Sequence, residues 1–213
     1  MLQMSHLYAI TDSILMPHAE LFCGVEAALL GGCKLVQYRD KSGDPDKRLS
    51  DATQLLMLCN QYHAKLIIND DVNLARQINA HGVHLGQGDG DVKAARKLLG
   101  SETIIGVTCH DSLALAEKAI ADGASYIAFG RFFSSTTKPD ARPAPLNLLS
   151  EARKKFPTVM IAAIGGITLD NAQHVLASGA DFIAVCNSLF AAEDIRARAL
   201  SFTTLPTAAA QAN

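Results

Sequence analysis

Two stretches, "ADGASYIAFG" (121–130) and "ASGADFIAVC" (177–186), are nearly the same sentence written twice. Each has a helical tail, a glycine, then a run of apolar residues. "LLGGCKLVQY" (29–38) and "INAHGVHLGQ" (78–87) follow the same plan. Glycine accepts positive φ and is a favoured helix stop. The runs that follow are almost wholly apolar rather than alternating, as strands are when both faces of a parallel sheet are covered. Between them lie helical patterns: Leu49, Ala52, Leu56 and Cys59 share one face, as do Ala172, Val175 and Leu176.

Working outward, the same rhythm predicts eight strands, at about 6–11, 33–38, 65–69, 82–85, 103–107, 124–129, 159–163 and 181–185. The helices are predicted at about 18–31, 46–63, 72–80, 91–99, 112–122, 145–155, 169–178 and 188–200. Eight β-then-α units predict an α/β fold of the (β/α)8 TIM-barrel type, near the lower size limit for it. A doubly wound open sheet is the alternative. Residues 1–202 form one expected domain, with no linker. The small, polar tail 203–213 is expected to fray.

Composition excludes several classes. The 213 residues are 49% hydrophobic and 19% charged, with a net charge of −2. That suits a globular core and speaks against nucleic acid or an anionic membrane as a partner. No apolar run reaches the roughly 18 residues of a membrane span, and "MLQMSHLYAI" lacks the pattern of a signal peptide. The cytoplasm is the expected location, and a small homo-oligomer is left open. The five cysteines form no CxxC, which fits reduced thiols. Cys109 and His110 are neighbours and point to opposite faces, so a core thiol beside a loop histidine is favoured over a catalytic pair.

A barrel puts its site at the C-terminal ends of its strands. There the chain reads "ITD", "VQYRDK", "IINDD", "HLGQGDGD", "GVTCHD", "FGRFFSSTTKPD", "AIGGIT" and "AVCNS". If the strand continues through "QYRDK", Gln37, Arg39 and Lys41 share a face. An amide, a guanidinium and an ammonium together suit a diphosphate; an exposed charged loop is the plainer reading. Asp70 and Asp89 end adjacent strands, and two close carboxylates call for a cation between them. Beside an anion site that cation is Mg²⁺, which takes oxygen ligands and substrate phosphates. Asp71 and Asp91 read instead as helix caps. The loop 130–144, with four hydroxyl residues and Lys138, has the length of a lid or binding segment. "IGGIT" (164–168) and "CNS" (186–188) each precede a helix, where backbone N–H groups can hold a phosphate. Two anion sites on one rim suggest joining a diphosphate to a phosphorylated acceptor.

Taken in order, "LYAITD", "VQYRDK", "LIINDD", "GVHLGQGD", "IGVTCHD", "FGRFFSSTTKPD", "AIGGIT" and "ADFIAVCNSLF" resemble the thiamine phosphate synthase family over roughly residues 6–190. The resemblance implies a transferase of thiamine biosynthesis. It would join 4-amino-2-methyl-5-hydroxymethylpyrimidine diphosphate to 4-methyl-5-(2-phosphooxyethyl)thiazole, releasing pyrophosphate through a pyrimidine carbocation. It implies that Gln37, Arg39, Lys41, Asn69, Thr108 and Lys138 bind the pyrimidine diphosphate, with Arg39, Lys41 and Lys138 supporting the leaving group. Asp70 and Asp89 resemble the family's Mg²⁺ ligands. Ser135, Thr137, Gly166, Cys186 and Asn187 resemble its thiazole phosphate site. The chain departs from the family pattern in "SSTTK", where Pro-Thr-x-Thr-Lys is usual, and in Thr108, where serine is common. It departs again in "VCNS", which replaces a V-S-A type of sequence; Asn187 fits if backbone groups hold the phosphate, whereas a needed hydroxyl would have to come from Ser188. A thiazole tautomerase and a non-catalytic phosphometabolite-binding barrel are the rival readings; the diphosphate and metal sets argue against both.

Overall fold

The structure is a computed structural model that describes residues 5–134 and 143–206. Its strands are β1 (Leu7–Ile10), β2 (Leu35–Tyr38), β3 (Lys65–Asn69), β4 (Gly82–Leu85), β5 (Ile104–Thr108), β6 (Tyr126–Phe129), β7 (Met160–Ile164) and β8 (Phe182–Val185). All pair in parallel in chain order, and β1 closes on β8. The helices are α1 (Ala19–Leu30), α2 (Pro45–Gln61), α3 (Val72–Gln77), α4 (Val92–Leu99), α5 (Leu113–Ala121), α6 (Asn147–Lys155), α7 (Leu169–Ala177), α8 (Asn187–Phe190) and α9 (Ile195–Thr203). The open-sheet alternative is thereby set aside. Among the described residues no helix is long and apolar enough to cross a membrane.

Period 2 along each strand sorts the core into two clusters. Leu7, Val36, Leu66, Val83, Ile105 and Ile127 face outward to the helices. Tyr8, Leu35, Ile67, Tyr126, Ala162 and Phe182 face inward and fill the barrel. The inward series continues upward on β2 to Gln37, on β3 to Asn69, on β4 to His84 and on β5 to Thr108. Thus the apolar filling gives way to polar groups at the C-terminal end. Gly106 makes room for this packing: a Cβ there would lie 1.9 Å from Tyr126 Cζ.

The sequence repeats mark helix ends with one exception. Gly32, Gly123 and Gly179 have φ of 92°, 101° and 118°, the region glycine enters without strain. In "INAHGVHLGQ" the stop is Asn79, at φ 54°, so α3 ends earlier than predicted. Gly82 belongs to β4, where a Cβ would press on Ile104 O at 2.3 Å. The predicted last helix, 188–200, is also corrected. One short turn, α8, is followed by a break, and α9 starts after Asp194, whose carboxylate accepts from Ala197 N at 2.9 Å. Thr203, placed in the tail by sequence, is the last residue of α9.

At the N-terminal end of the barrel two arginines hold the turns. Arg96 donates to the carbonyls of Gly100, Ser101, Thr103 and Gly123. Arg153 does the same for Pro157, Val159 and Gly179, and also pairs with Asp181.

Candidate active site

Many carboxylates on the C-terminal rim are structural. Asp44, Asp71, Asp91 and Asp194 each accept from the backbone N–H three residues on, capping α2, α3, α4 and α9. Asp71 and Asp91 were expected to do so. With the caps removed, Asp12, Asp40, Asp70 and Asp89 stand out.

Asp70 follows β3 in a left-handed conformation, φ 64°. Asparagine and aspartate are the non-glycine residues that best tolerate it. Lys41 Nζ donates to Asp70 Oδ2 at 2.5 Å, and Asn69 Nδ2 donates to the same atom at 2.6 Å. Asp89 Oδ2 accepts from Gly86 N at 2.9 Å. A Cβ at Gly86 would sit 2.5 Å from that carboxylate, so a larger residue there would displace Asp89. Asp70 and Asp89 line the same cleft, close enough that each perturbs the ionisation of the other. Burial is the largest single influence and works against the charge on Asp70, but the bonds from Lys41 and Asn69, the Lys41 charge and the neighbouring Asp89 together outweigh it and hold its carboxyl below the ordinary range. Burial and the neighbouring Asp70 push the Asp89 carboxyl up. Such a pair is relieved by a cation held between the two groups. Asp70, Asp89 and Lys41 line an open cleft of about 470 Å³.

The "QYRDK" residues keep their alternation although β2 ends at Tyr38. Gln37 points into the barrel, and its Nε2 donates to Tyr8 OH at 2.7 Å. Arg39 is held from β1: its N–H donates to Thr11 Oγ1 at 2.9 Å, and its guanidinium lies 3.3 Å from Asp12 Oδ2. Tyr38 and Asp40 face the other way, into α2. There Lys47 bonds Asp40 and lies 2.7 Å from Asp51 Oδ2, while Tyr38 OH donates to Asp51 at 3.2 Å. Burial opposes the charge on Asp40, yet the bonds from Lys47 and from Ser42 hold it down at about 2. This buried cluster anchors the loop that carries Arg39 and Lys41.

On the opposite side, Gly166 has φ 63°, and a Cβ would lie 2.3 Å from Ser134 O. The loop after β6 is held to the loop after β7 by Phe132 N donating to Ile164 O at 3.2 Å and Phe133 N donating to Gly165 O at 3.0 Å. Cys186 follows β8 and precedes α8; burial and Asp12 push its thiol up to about 11. Asn187 is exposed at the start of α8. Ser188 Oγ donates to Ile167 O at 2.7 Å.

The thiamine monophosphate synthase family model matches residues 7–189. The chain is 56% identical over 194 residues to the thiamine-phosphate synthase of Saccharophagus degradans, covering 91% of this chain and 89% of that one. It is 53% identical over 188 residues to that of Alcanivorax borkumensis, covering 88% and 86%. The chain belongs to the thiamine monophosphate synthase family. A solved thiamine phosphate pyrophosphorylase from Pyrococcus furiosus superposes with a TM-score of 0.85 at 33% identity, covering 93% of this chain and 94% of that one. This member of the thiamine monophosphate synthase family is therefore a transferase of thiamine biosynthesis, built on a TIM barrel.

For this family member, the structure brings Gln37, Arg39, Lys41, Asn69, Asp70, Asp89 and Thr108 to one end of the barrel. Gly166 lies at that end just after β7, and Cys186 and Asn187 just after β8. Ser135, Thr137 and Lys138 lie outside the described residues. Sequence reasoning did not single out Asp12, Tyr8, Tyr126 or His84. Asp12 was visible only as a strand-end acid, and the two tyrosines only as apolar-looking strand residues.

Proposed function

We propose that the chain couples 4-amino-2-methyl-5-hydroxymethylpyrimidine diphosphate with 4-methyl-5-(2-phosphooxyethyl)thiazole to give thiamine phosphate and pyrophosphate. Family membership supports the reaction class, and one observation carries the site assignment: Asp70 and Asp89 face one cleft and perturb each other's ionisation, with Lys41 bonded to Asp70. Two carboxylates whose charges oppose each other, next to a side chain able to meet a diphosphate, suit a Mg²⁺ ion shared with substrate phosphates. Asp70 and Asp89 would hold it, and it would neutralise charge on the diphosphate. Asn69 steers Asp70 through its 2.6 Å bond.

Arg39 and Lys41 then stabilise the negative charge that grows on pyrophosphate as the pyrimidine CH₂–O bond breaks. Asp12 and Thr11 fix Arg39 in place for this, so little reorganisation accompanies the step. The electron-rich aminopyrimidine carries the resulting cation until the thiazole nitrogen attacks. That nitrogen has no proton to lose, so no general base is needed. Backbone N–H groups at Gly166 and at Cys186–Asn187 hold the thiazole phosphate. The engagement of Ser188 Oγ with Ile167 O supports a backbone role for that turn rather than a hydroxyl contact. The protein's main contribution is to position two reactants and support a leaving group.

Purified protein with both substrates and Mg²⁺ should form thiamine phosphate, read as fluorescent thiochrome after oxidation, and EDTA should stop it. Folded protein that binds both substrates and forms no product would overturn the proposal in favour of a binding protein.

A further inference from the structure

Beneath the site a chain of hydrogen bonds crosses the barrel through five residues on five strands. Gln37 Nε2 lies 2.7 Å from Tyr8 OH, Tyr8 OH 2.7 Å from Tyr126 OH, Tyr126 OH 2.7 Å from His84 Nδ1, and His84 Nε2 2.8 Å from Thr108 Oγ1. Its two ends, Gln37 and Thr108, are residues placed above at the pyrimidine site. Its three middle members have no role in that reading. We propose that Tyr8, Tyr126 and His84 are positioning residues that lock Gln37 as an acceptor and Thr108 as a donor, and so select an aminopyrimidine. This inference rests on the coupling reaction proposed above.

The polarity follows from counting protons. Tyr8 is 1% exposed, and among the described residues its hydroxyl meets only Gln37 and Tyr126. Gln37 Nε2 donates to it, so the single proton of Tyr8 must go to the Tyr126 oxygen. The Tyr126 proton then goes to His84 Nδ1. That leaves His84 protonated on Nε2, which donates to Thr108 Oγ1. Thr108 has thereby accepted from below, and its own proton is available to a group above. At the other end Gln37 Oε1 takes no hydrogen bond among the described residues, so it is available as an acceptor. A buried donor left without a partner is costly, so neither end can reverse unless all five members reverse together.

A 4-aminopyrimidine offers an N–H donor on its exocyclic amine and lone pairs on its ring nitrogens. Those match Gln37 Oε1 and the Thr108 hydroxyl. The 4-oxo analogue carries a carbonyl acceptor and a protonated ring nitrogen, the reverse pattern. A site built to hydrogen-bond one pattern discriminates strongly against the other. Tyr126 has a further dependence on its surroundings, since its ring occupies the space that only a glycine at 106 leaves open.

The test uses the full chain, Tyr126→Phe and Tyr8→Phe, with the 4-amino and 4-oxo pyrimidine diphosphates. Both variants keep the ring and remove one hydroxyl. We expect the ratio of kcat/KM for the amino over the oxo substrate to fall at least about tenfold in each variant, with the KM for thiazole phosphate unchanged. Activity on both substrates falling by one common factor would overturn the relay and leave the network a packing feature. The ¹⁵N shifts of His84 give a second readout that does not depend on turnover. They should report a proton on Nε2, and a proton on Nδ1 overturns the proposed polarity. Wild-type protein without coupling activity but with the expected His84 tautomer would sink the reaction and retain the relay.

Discussion

Lys41 Nζ lies 2.5 Å from Asp70 Oδ2, across the gap between the loop after β2 and the end of β3. The pair joins the side chain proposed to meet the diphosphate to a carboxylate proposed to hold metal. Asp70→Asn isolates that second role. Asparagine tolerates the φ of 64° at this position, so the backbone should be kept. Coupling activity should fall roughly 100-fold, with unfolding temperature nearly unchanged. A drop in unfolding temperature that accounts for the lost activity would show instead that Asp70 is structural.

Asp40 predicts a pH effect. Its carboxyl is held down at about 2 by Lys47 and Ser42. A carboxylate whose folded value is depressed contributes stability above its unfolded value, near 3.9. That contribution is lost as pH falls toward 2. In wild type the term is worth roughly 2 kcal/mol at neutral pH. Urea unfolding at pH 7 and at about pH 3 should therefore differ less in Asp40→Asn than in wild type. Equal pH dependence in the two proteins would remove Asp40 as the source.

Gly106 predicts a packing defect. A Cβ 1.9 Å from Tyr126 Cζ cannot be accommodated without moving a buried ring. Gly106→Ala should cost about 3 kcal/mol, measured by denaturant unfolding. The double change with Tyr126→Ala should be less damaging than the sum of the two single changes, because it relieves the same clash.

Arg153 separates stability from catalysis. It binds carbonyls of the turn after α6 and of Gly179, and pairs with Asp181, which itself accepts from Ile161 N at 2.7 Å. All lie at the end of the barrel away from the site. Arg153→Ala should lose about 3 kcal/mol of stability, while kcat per folded molecule stays at the wild-type value. A selective fall in kcat would indicate coupling between the two ends of the barrel.

Particular residues show why some features are legible in sequence. β3 was read as 65–69, as observed, because an apolar run ended by "NDD" is a local pattern. Asp71 and Asp91 were read as caps because a cap reaches only three residues along the chain. The break between α8 and α9 was overlooked although Asp194 is a local cap, since the apolar residues on either side continue a helical period. At the site, the polar residue types that follow the strands are enough to mark the rim.

The sequence by itself determined the eight repeated units, their strand-then-helix order, and the end at which polar residues gather. Those properties depend on contacts a few residues apart and on the period of the strand. Only the tertiary structure decided which polar groups meet. Lys41 reaches Asp70 across 29 positions, and Tyr8 meets Tyr126 across 118. Closure of β1 onto β8 and the stagger of the strands bring such groups together, the tyrosines inside the barrel and Lys41 with Asp70 at its rim. No local pattern encodes that meeting, because it is fixed by the packing of all eight strands at once.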